Sequence, residues 1–269
     1  DNNGIYVADG YAAKLDPTLN ESSLDHAADR FRYVYETYLK DTDAKVYLSI
    51  IPDKNYFLAA ENGYPALDYE RLFAYMREKT DYAQYIDLTG ALSLSSYYRT
   101  DTHWRQEELL PAAKLLADAM DTEIAEDFAS VTLGTPFSGV YCGQSALPMQ
   151  PDTLTYLTNE ILEGCRVYDY ESDAYLPVYT LDKADGSDPY EIFLSGPKSL
   201  LRIENPNAKT ERRLIVFRDS FAASLIPLLA EGYREITLVD IRYLSPASLG
   251  QFVDFGAQDV LFLYSTSVL

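Results

Sequence analysis

The chain is poor in histidine, cysteine and basic residues, and each scarcity removes a class of function. Of 269 residues only two are His and two are Cys. No C-x-x-C pair is present, so a zinc or redox centre built on cysteine is excluded. Lys and Arg number 22 against 42 Asp and Glu, a net charge of −20. Such a surface repels phosphate backbones and anionic membranes at long range, so no nucleic-acid partner is expected and a neutral or locally cationic substrate fits better. No run approaches the ~18 apolar residues of a membrane helix. No linker rich in Gly, Ser or Pro, internal repeat or low-complexity tract divides the chain, which implies one domain over 1–269. The chain opens at Asp1 without Met, and a signal or anchor upstream of it is expected, placing the protein outside the cytoplasm.

What is present is an apolar content of 47%, ample for one large core. The 24 tyrosines suit either wet, sugar-facing surfaces or a core. Cys142 and Cys165 lie in the least regular part of the chain. A bond between them would contribute roughly 3 kcal/mol, and two free thiols are equally consistent.

Apolar spacing predicts a helix from Ser22, capped by Ser22 or Ser23, with Leu24, Ala27, Ala28, Phe31, Tyr35 and Tyr38 inward. Val46–Ile51, closed by Pro52-Asp53, reads as a buried parallel strand. Helices are predicted over 68–79 and 105–120, the latter starting late because of Pro111, with a short strand at 85–88 between them. Residues 131–192, broken by Gly and Pro, read as an irregular β-rich insertion packed on the main domain. The α/β rhythm returns with strands at 213–217, 235–240 and 259–264, a helix at 221–231 ended by Gly232 as a left-handed cap, and a helix at 246–254. This alternation implies a parallel sheet with helices on both faces, whose reactive groups gather beyond the strands' carboxyl ends.

Ser220 sits where an apolar strand gives way to a helix. There its hydroxyl would lie beside free N–H groups able to stabilise an oxyanion. Ser220 or Asp219 acting only as a helix cap is the competing reading. A serine needs a base. His26 falls on the polar side of the first helix. His103 lies two residues after Asp101, and in an extended or turning backbone such a pair projects to one side. Asp101 can then take the Nδ1 hydrogen while Nε2 faces Ser220. The alternative is that Asp101 caps the following helix. No further His or Cys is free to complete a first-row metal site, and no cofactor is expected.

These residues carry a resemblance. Tyr97-Tyr98-Arg99-Thr100-Asp101-Thr102-His103-Trp104 looks like the signature of the DHHW proteins, found mainly in Gram-positive gut bacteria. Those in turn resemble the SGNH-like O-acetyltransferases of alginate and related polysaccharides. Leu214-Ile-Val-Phe-Arg-Asp219-Ser220-Phe fits the second signature, followed by Ile226-Pro-Leu-Leu and Val239-Asp-Ile-Arg-Tyr243. The likeness spans the chain from Gly4-Ile-Tyr to Asp259-Val-Leu-Phe-Leu-Tyr-Ser265.

The resemblance implies a three-layer, flavodoxin-like SGNH fold, with Ser220 as nucleophile, His103 as base and Asp101 as orienting acid, in an order permuted from ordinary SGNH hydrolases. It also implies a polysaccharide acceptor, an acyl donor and a membrane acyl-transfer partner. Trp104, Tyr97 and Tyr98 would stack on sugar rings or pack in the core. Two positions depart from the pattern. Thr102 stands where many relatives have His, outside the triad. Phe193-Leu-Ser195-Gly196-Pro197-Lys198 stands where relatives have Gly-Gly-Asn. Pro197 has no N–H, so an oxyanion hole would rest on Gly196 or the backbone near Ser220. Losing one donor costs on the order of 100- to 1,000-fold. Acetyl transfer or acetyl-ester hydrolysis is the leading expectation, and a carbohydrate-binding or assembly module with weak turnover is the other.

Overall fold

The computed structural model describes residues 3–145 and 148–269. An N-terminal hairpin pairs β1 (Ile5–Ala8) with β2 (Tyr11–Lys14). The first sheet strands are β3 (Lys45–Ile51) and β4 (Gln84–Tyr85). A separate two-stranded sheet is formed by β5 (Ala129–Phe137) and β6 (Asp152–Thr158). Then come β7 (Arg166–Asp169), β8 (Ala174–Leu176), β9 (Leu200–Glu204), β10 (Arg213–Arg218), β11 (Glu235–Val239) and β12 (Asp259–Ser265).

The eight-stranded sheet runs β4-β3-β12-β10-β11-β9-β7-β8. Its first five strands are parallel and the other three antiparallel, so the sheet is mixed rather than wholly parallel. Counted from β10, the parallel strands have the spatial order β11-β10-β12-β3-β4, which is the flavodoxin order 2-1-3-4-5. The chain therefore enters this arrangement at its fourth strand. The switch point, where connections leave the sheet in opposite directions, falls between β10 and β12, and Ser220 follows β10.

The central strands are buried on both faces, which explains their unbroken apolar runs. Leu214 and Val216 of β10 join one core, Ile215 and Phe217 the other, as the two-residue period requires. One face is covered by helix α1 (Glu21–Val34), which continues as a π turn over Tyr35–Leu39, and later by a 3₁₀ segment, Pro246–Gln251. A short α2 (Asn55–Leu58) follows β3, and α3 (Tyr69–Lys79) packs beside α1. The opposite face carries α4 (Leu110–Ala119), whose late start fits Pro111 in its first turn. Two short helices flank β6: α5 (Val140–Ser145) and α6 (Glu160–Gly164). Finally α7 (Ala222–Leu225) passes into a 3₁₀ segment, Ile226–Gly232.

Several expectations are corrected. The cap of α1 is Asn20, whose side chain accepts from the Ser23 N–H at 3.1 Å, so neither Ser22 nor Ser23 caps it. Residues 131–192 are not an appendage: β7 and β8 finish the main sheet, paired through β9. Gly232 is not a left-handed cap, since the left-handed glycines are Gly4, Gly10, Gly63 and Gly196. Its constraint is space, because a Cβ there would sit 2.3 Å from Thr122 Oγ1. Cys142 and Cys165 are free thiols.

Candidate active site

Residues 97–104 fold back on themselves. Tyr97 and Trp104 form an antiparallel bridge and the Tyr98 N–H donates to the His103 carbonyl at 3.1 Å. Asp101 lies at the tip of this loop, where its Oδ1 accepts from both the His103 backbone N–H (2.9 Å) and Nδ1 (2.7 Å). One carboxylate oxygen thus fixes the turn and the ring together. Oδ2 accepts from the Val140 N–H at 3.1 Å. Burial pushes the Asp101 carboxyl up, but the His103 ring and the N–H groups of His103 and Val140 outweigh it and hold the group down at about 2.

The loop tip is clamped by the segment around β5, α5 and β6. Asp152 accepts from the Arg99 and Thr100 N–H groups and from the Thr100 hydroxyl. Gly139 packs so closely that a Cβ there would lie 2.3 Å from Asp101 Cβ.

Ser220 sits in the turn between β10 and α7, half-buried. His103 Nε2 lies 2.8 Å from Ser220 Oγ, across 117 positions of sequence. Hydroxyl, imidazole and carboxylate therefore form one continuous hydrogen-bonded line at the switch point. Asp219, fully buried, shapes the turn: its carboxylate accepts from the Phe221 N–H (3.0 Å) and from the Ser265 N–H at the end of β12 (2.7 Å). Burial raises the Asp219 carboxyl above its ordinary value, and these donors oppose the rise.

The turn's carbonyls are taken by side chains from elsewhere. Trp104 Nε1 donates to the Phe221 carbonyl at 2.8 Å, Gln106 to that of Ser224 at 2.8 Å, and the Tyr190 hydroxyl to that of Ser220 at 3.0 Å. The Tyr190 ring also lies flat on the His103 ring. Sequence reasoning missed Tyr190 and Gln106. Gln106 lies three residues past His103, and its polarity ahead of an apolar helix was the one available signal.

Trp104, Tyr97 and Tyr98 are each wholly buried, so none is a sugar platform. Trp104 ties the His103 loop to the Ser220 turn. Tyr98 packs edge-on against Phe137 at 4.9 Å between centroids, and Tyr97 donates to the Pro52 carbonyl. Gly196 is also corrected as an oxyanion donor, because its N–H already donates to the Phe193 carbonyl at 3.2 Å. Leu194, Ser195 and Gly196 are all left-handed, with φ of 51°, 62° and 83°. Among the described residues no acceptor takes the Ser220 N–H. His26 is exposed on α1, away from this chemistry.

A cleft of about 560 Å³ opens beyond the carboxyl ends of β3 and β12, lined by Asp53, Asn55, Thr102, Tyr141 and Thr266 among others. It meets the constellation on its Asp101 side, through Thr102 and Val140. Ser220 and His103 do not line it.

No family model matches the sequence, and no curated protein matches it. Solved structures do match. A DHHW family protein from Eubacterium siraeum superposes with a TM-score of 0.79 at 21% identity, over 99% of this chain and 92% of its own. Bacillus cereus PatB1, solved with a sulfonyl adduct, gives 0.73 at 16% identity, over 98% and 94%. The O-acetyltransferase domain of Pseudomonas putida AlgJ gives 0.58 at 16%, over 97% and 90%. The likeness runs nearly end to end at low identity, and what it shows is architecture: this chain has the α/β fold shared by a DHHW family protein and an O-acetyltransferase domain.

Proposed function

We propose that the protein is a serine acyl-ester enzyme that moves an acetyl group to or from a polysaccharide outside the cytoplasm. The observation that carries this reading is the 2.8 Å contact between His103 Nε2 and Ser220 Oγ, backed by the 2.7 Å contact from Nδ1 to Asp101. His103 takes the Ser220 proton as Oγ attacks the acetyl carbonyl, and Asp101 holds the imidazolium that forms. The oxyanion turns toward the Ser220 N–H. The tetrahedral adduct collapses, His103 protonates the departing donor, and acetyl-Ser220 remains. A sugar hydroxyl, deprotonated by the same ring, then accepts the acetyl group. Water in its place makes the enzyme an esterase.

Support for the acetyl group comes from the fold shared with the AlgJ O-acetyltransferase domain. The net charge of −20 favours a neutral or cationic acceptor chain over an anionic one. Among the described residues no helix is long and apolar enough to cross a membrane. The reading includes a membrane partner that supplies the acyl group.

The test is release of acetate from an activated acetyl ester by wild type, Ser220→Ala and His103→Ala, with and without neutral oligosaccharides. Turnover that depends on both residues and shifts to acetylated sugar supports the transferase. Equal rates for wild type and Ser220→Ala reject the enzyme. One observation favours a second reading, a carbohydrate-binding or assembly module with weak turnover: the Gly196 N–H is occupied and Pro197 has none to offer. Saccharide binding without Ser220-dependent turnover supports that module.

A further inference from the structure

Lys54 follows β3 and is buried, 3% exposed. Among the described residues it forms no salt bridge. Its ammonium donates to two backbone carbonyls, Ala12 in β2 at 2.7 Å and Asp101 at 2.8 Å. The Tyr11 and Tyr141 ring centroids lie 5.7 and 5.2 Å from Nζ. Burying a lysine without a carboxylate partner is costly. Neutral donors could satisfy two carbonyls without that cost, so the use of an ammonium calls for another account.

The account lies in what the carbonyl belongs to. Asp101 is the residue whose Oδ1 sets both the loop and the imidazole. On the other side the Thr100 hydroxyl donates to Asp152 and accepts from the Gly139 N–H, while the Asp101 carboxylate accepts from the Val140 N–H. Among the described residues Lys54 is the one charged donor to the Asp101 main chain, and hydrogen bonds from a charged donor are roughly twice as strong as neutral ones. We propose that Lys54 is a positioning residue of the site: its ammonium fixes the Asp101 carbonyl and so the carboxylate's aim at the His103 ring. This rests on the reading of Ser220, His103 and Asp101 as the reacting constellation.

The charges facing Lys54 are Asp53 on its own segment, Asp101, and Asp152 from β6, with the Tyr11 and Tyr141 rings. Burial pulls the Lys54 ammonium down to about 7, against the opposing pull of Asp101, Asp152 and Asp53. The ammonium is therefore lost as pH rises through about 7, and the aim of Asp101 loosens with it.

The experiment compares wild type, Lys54→Met and Lys54→Arg. The readouts are kcat, KM, thermal unfolding and the emission of Trp104, the chain's one tryptophan. The low-field His103 Nδ1–H proton resonance is followed alongside. Lys54→Met should keep the fold and the tryptophan signal, lower kcat on the order of 100-fold with KM unchanged, and shift or broaden that resonance. Lys54→Arg should recover part of the loss. In wild type the resonance should broaden as pH rises through about 7, a dependence that Lys54→Met should lack and a measurement that needs no turnover. If the wild-type constellation proves inactive, the resonance still reports on Lys54, so the two readings fail separately. A wild-type resonance unchanged as pH rises through that value, or a folded Lys54→Met with wild-type kcat, overturns the proposal.

Discussion

The rings of His103 and Tyr190 lie parallel, 3.8 Å apart between centroids and inclined by 6°. The Tyr190 hydroxyl reaches past the imidazole to the Ser220 carbonyl and to Ser224 Oγ. One side chain thus sets the plane of the base and the height of the hydroxyl it must serve. Tyr190→Phe keeps the stack and loses the hydrogen bonds, so kcat should fall only several-fold. Tyr190→Leu loses both, and the fall should reach on the order of 100-fold. Steady-state kinetics on an activated acetyl ester checks the ranking. Equal effects for the two variants would mean that the stack contributes nothing.

The meeting of Ser220, His103 and Asp101 could be anticipated because each carries a local mark. Ser220 stands at a strand-to-helix junction, His103 is one of two histidines, and Asp101 precedes it by two. The parts that hold them carry no such mark. Tyr190 sits in a stretch of turns whose sequence does not say which site it will cover. Trp104 and Tyr98 were ambiguous because an aromatic beside reactive residues reads equally as platform or core. The indole N–H decides for Trp104, since the irregular turn leaves the Phe221 carbonyl needing a donor.

The longer parallel strands β3, β10, β11 and β12 were legible as apolar runs, whereas β4, expected at 85–88 and found at Gln84–Tyr85, was only approximately placed, and β7 and β8 were not legible. They have four and three residues and an alternating or exposed pattern, too short for periodicity to rise above the surrounding turns. The Gly232 correction has the same origin. Glycine after a helical run suggests a left-handed cap, and only the placement of Thr122 and Glu123 against it shows that lack of volume is the constraint.

Asp219 gives a prediction about stability. It is fully buried and satisfies the Phe221 and Ser265 N–H groups. Asp219→Ala leaves both buried donors unpaired, at a cost on the order of 3 kcal/mol. Chemical denaturation should show that loss. The kcat of the remaining folded enzyme should fall as well, because the Ser220 turn is no longer pinned to β12. A variant of wild-type stability would show that solvent replaces the carboxylate freely.

Gly139→Ala should be severe at a position whose backbone is ordinary. The new methyl would lie 2.3 Å from Asp101 Cβ, 2.6 Å from its Cα and 2.6 Å from the Thr100 carbonyl. Backbone cannot yield as a flexible side chain does, so the loop tip must move. A lowered melting temperature together with loss of His103-dependent turnover is expected. Unchanged kcat would show that the constellation tolerates displacement of Asp101.

Asp101 links the chemistry to acid stability, and the sign follows from its shift. Its carboxyl is held at about 2 in the fold, against an ordinary 3.8 when unfolded. Between those values the unfolded chain binds the proton and the folded chain does not, so stability falls as pH falls through that window. The full contribution, about 2 kcal/mol, is present above the unfolded value and gone below the folded one. Asp101→Asn should therefore be less stable than wild type near neutrality, and the two denaturation curves should converge as pH approaches about 2. At neutral pH the same variant presents the wrong partner to Nδ1 and should lose on the order of 10⁴-fold in kcat. A stability gap that persists at the acid end would assign the effect to packing of the amide instead of to the charge on Asp101.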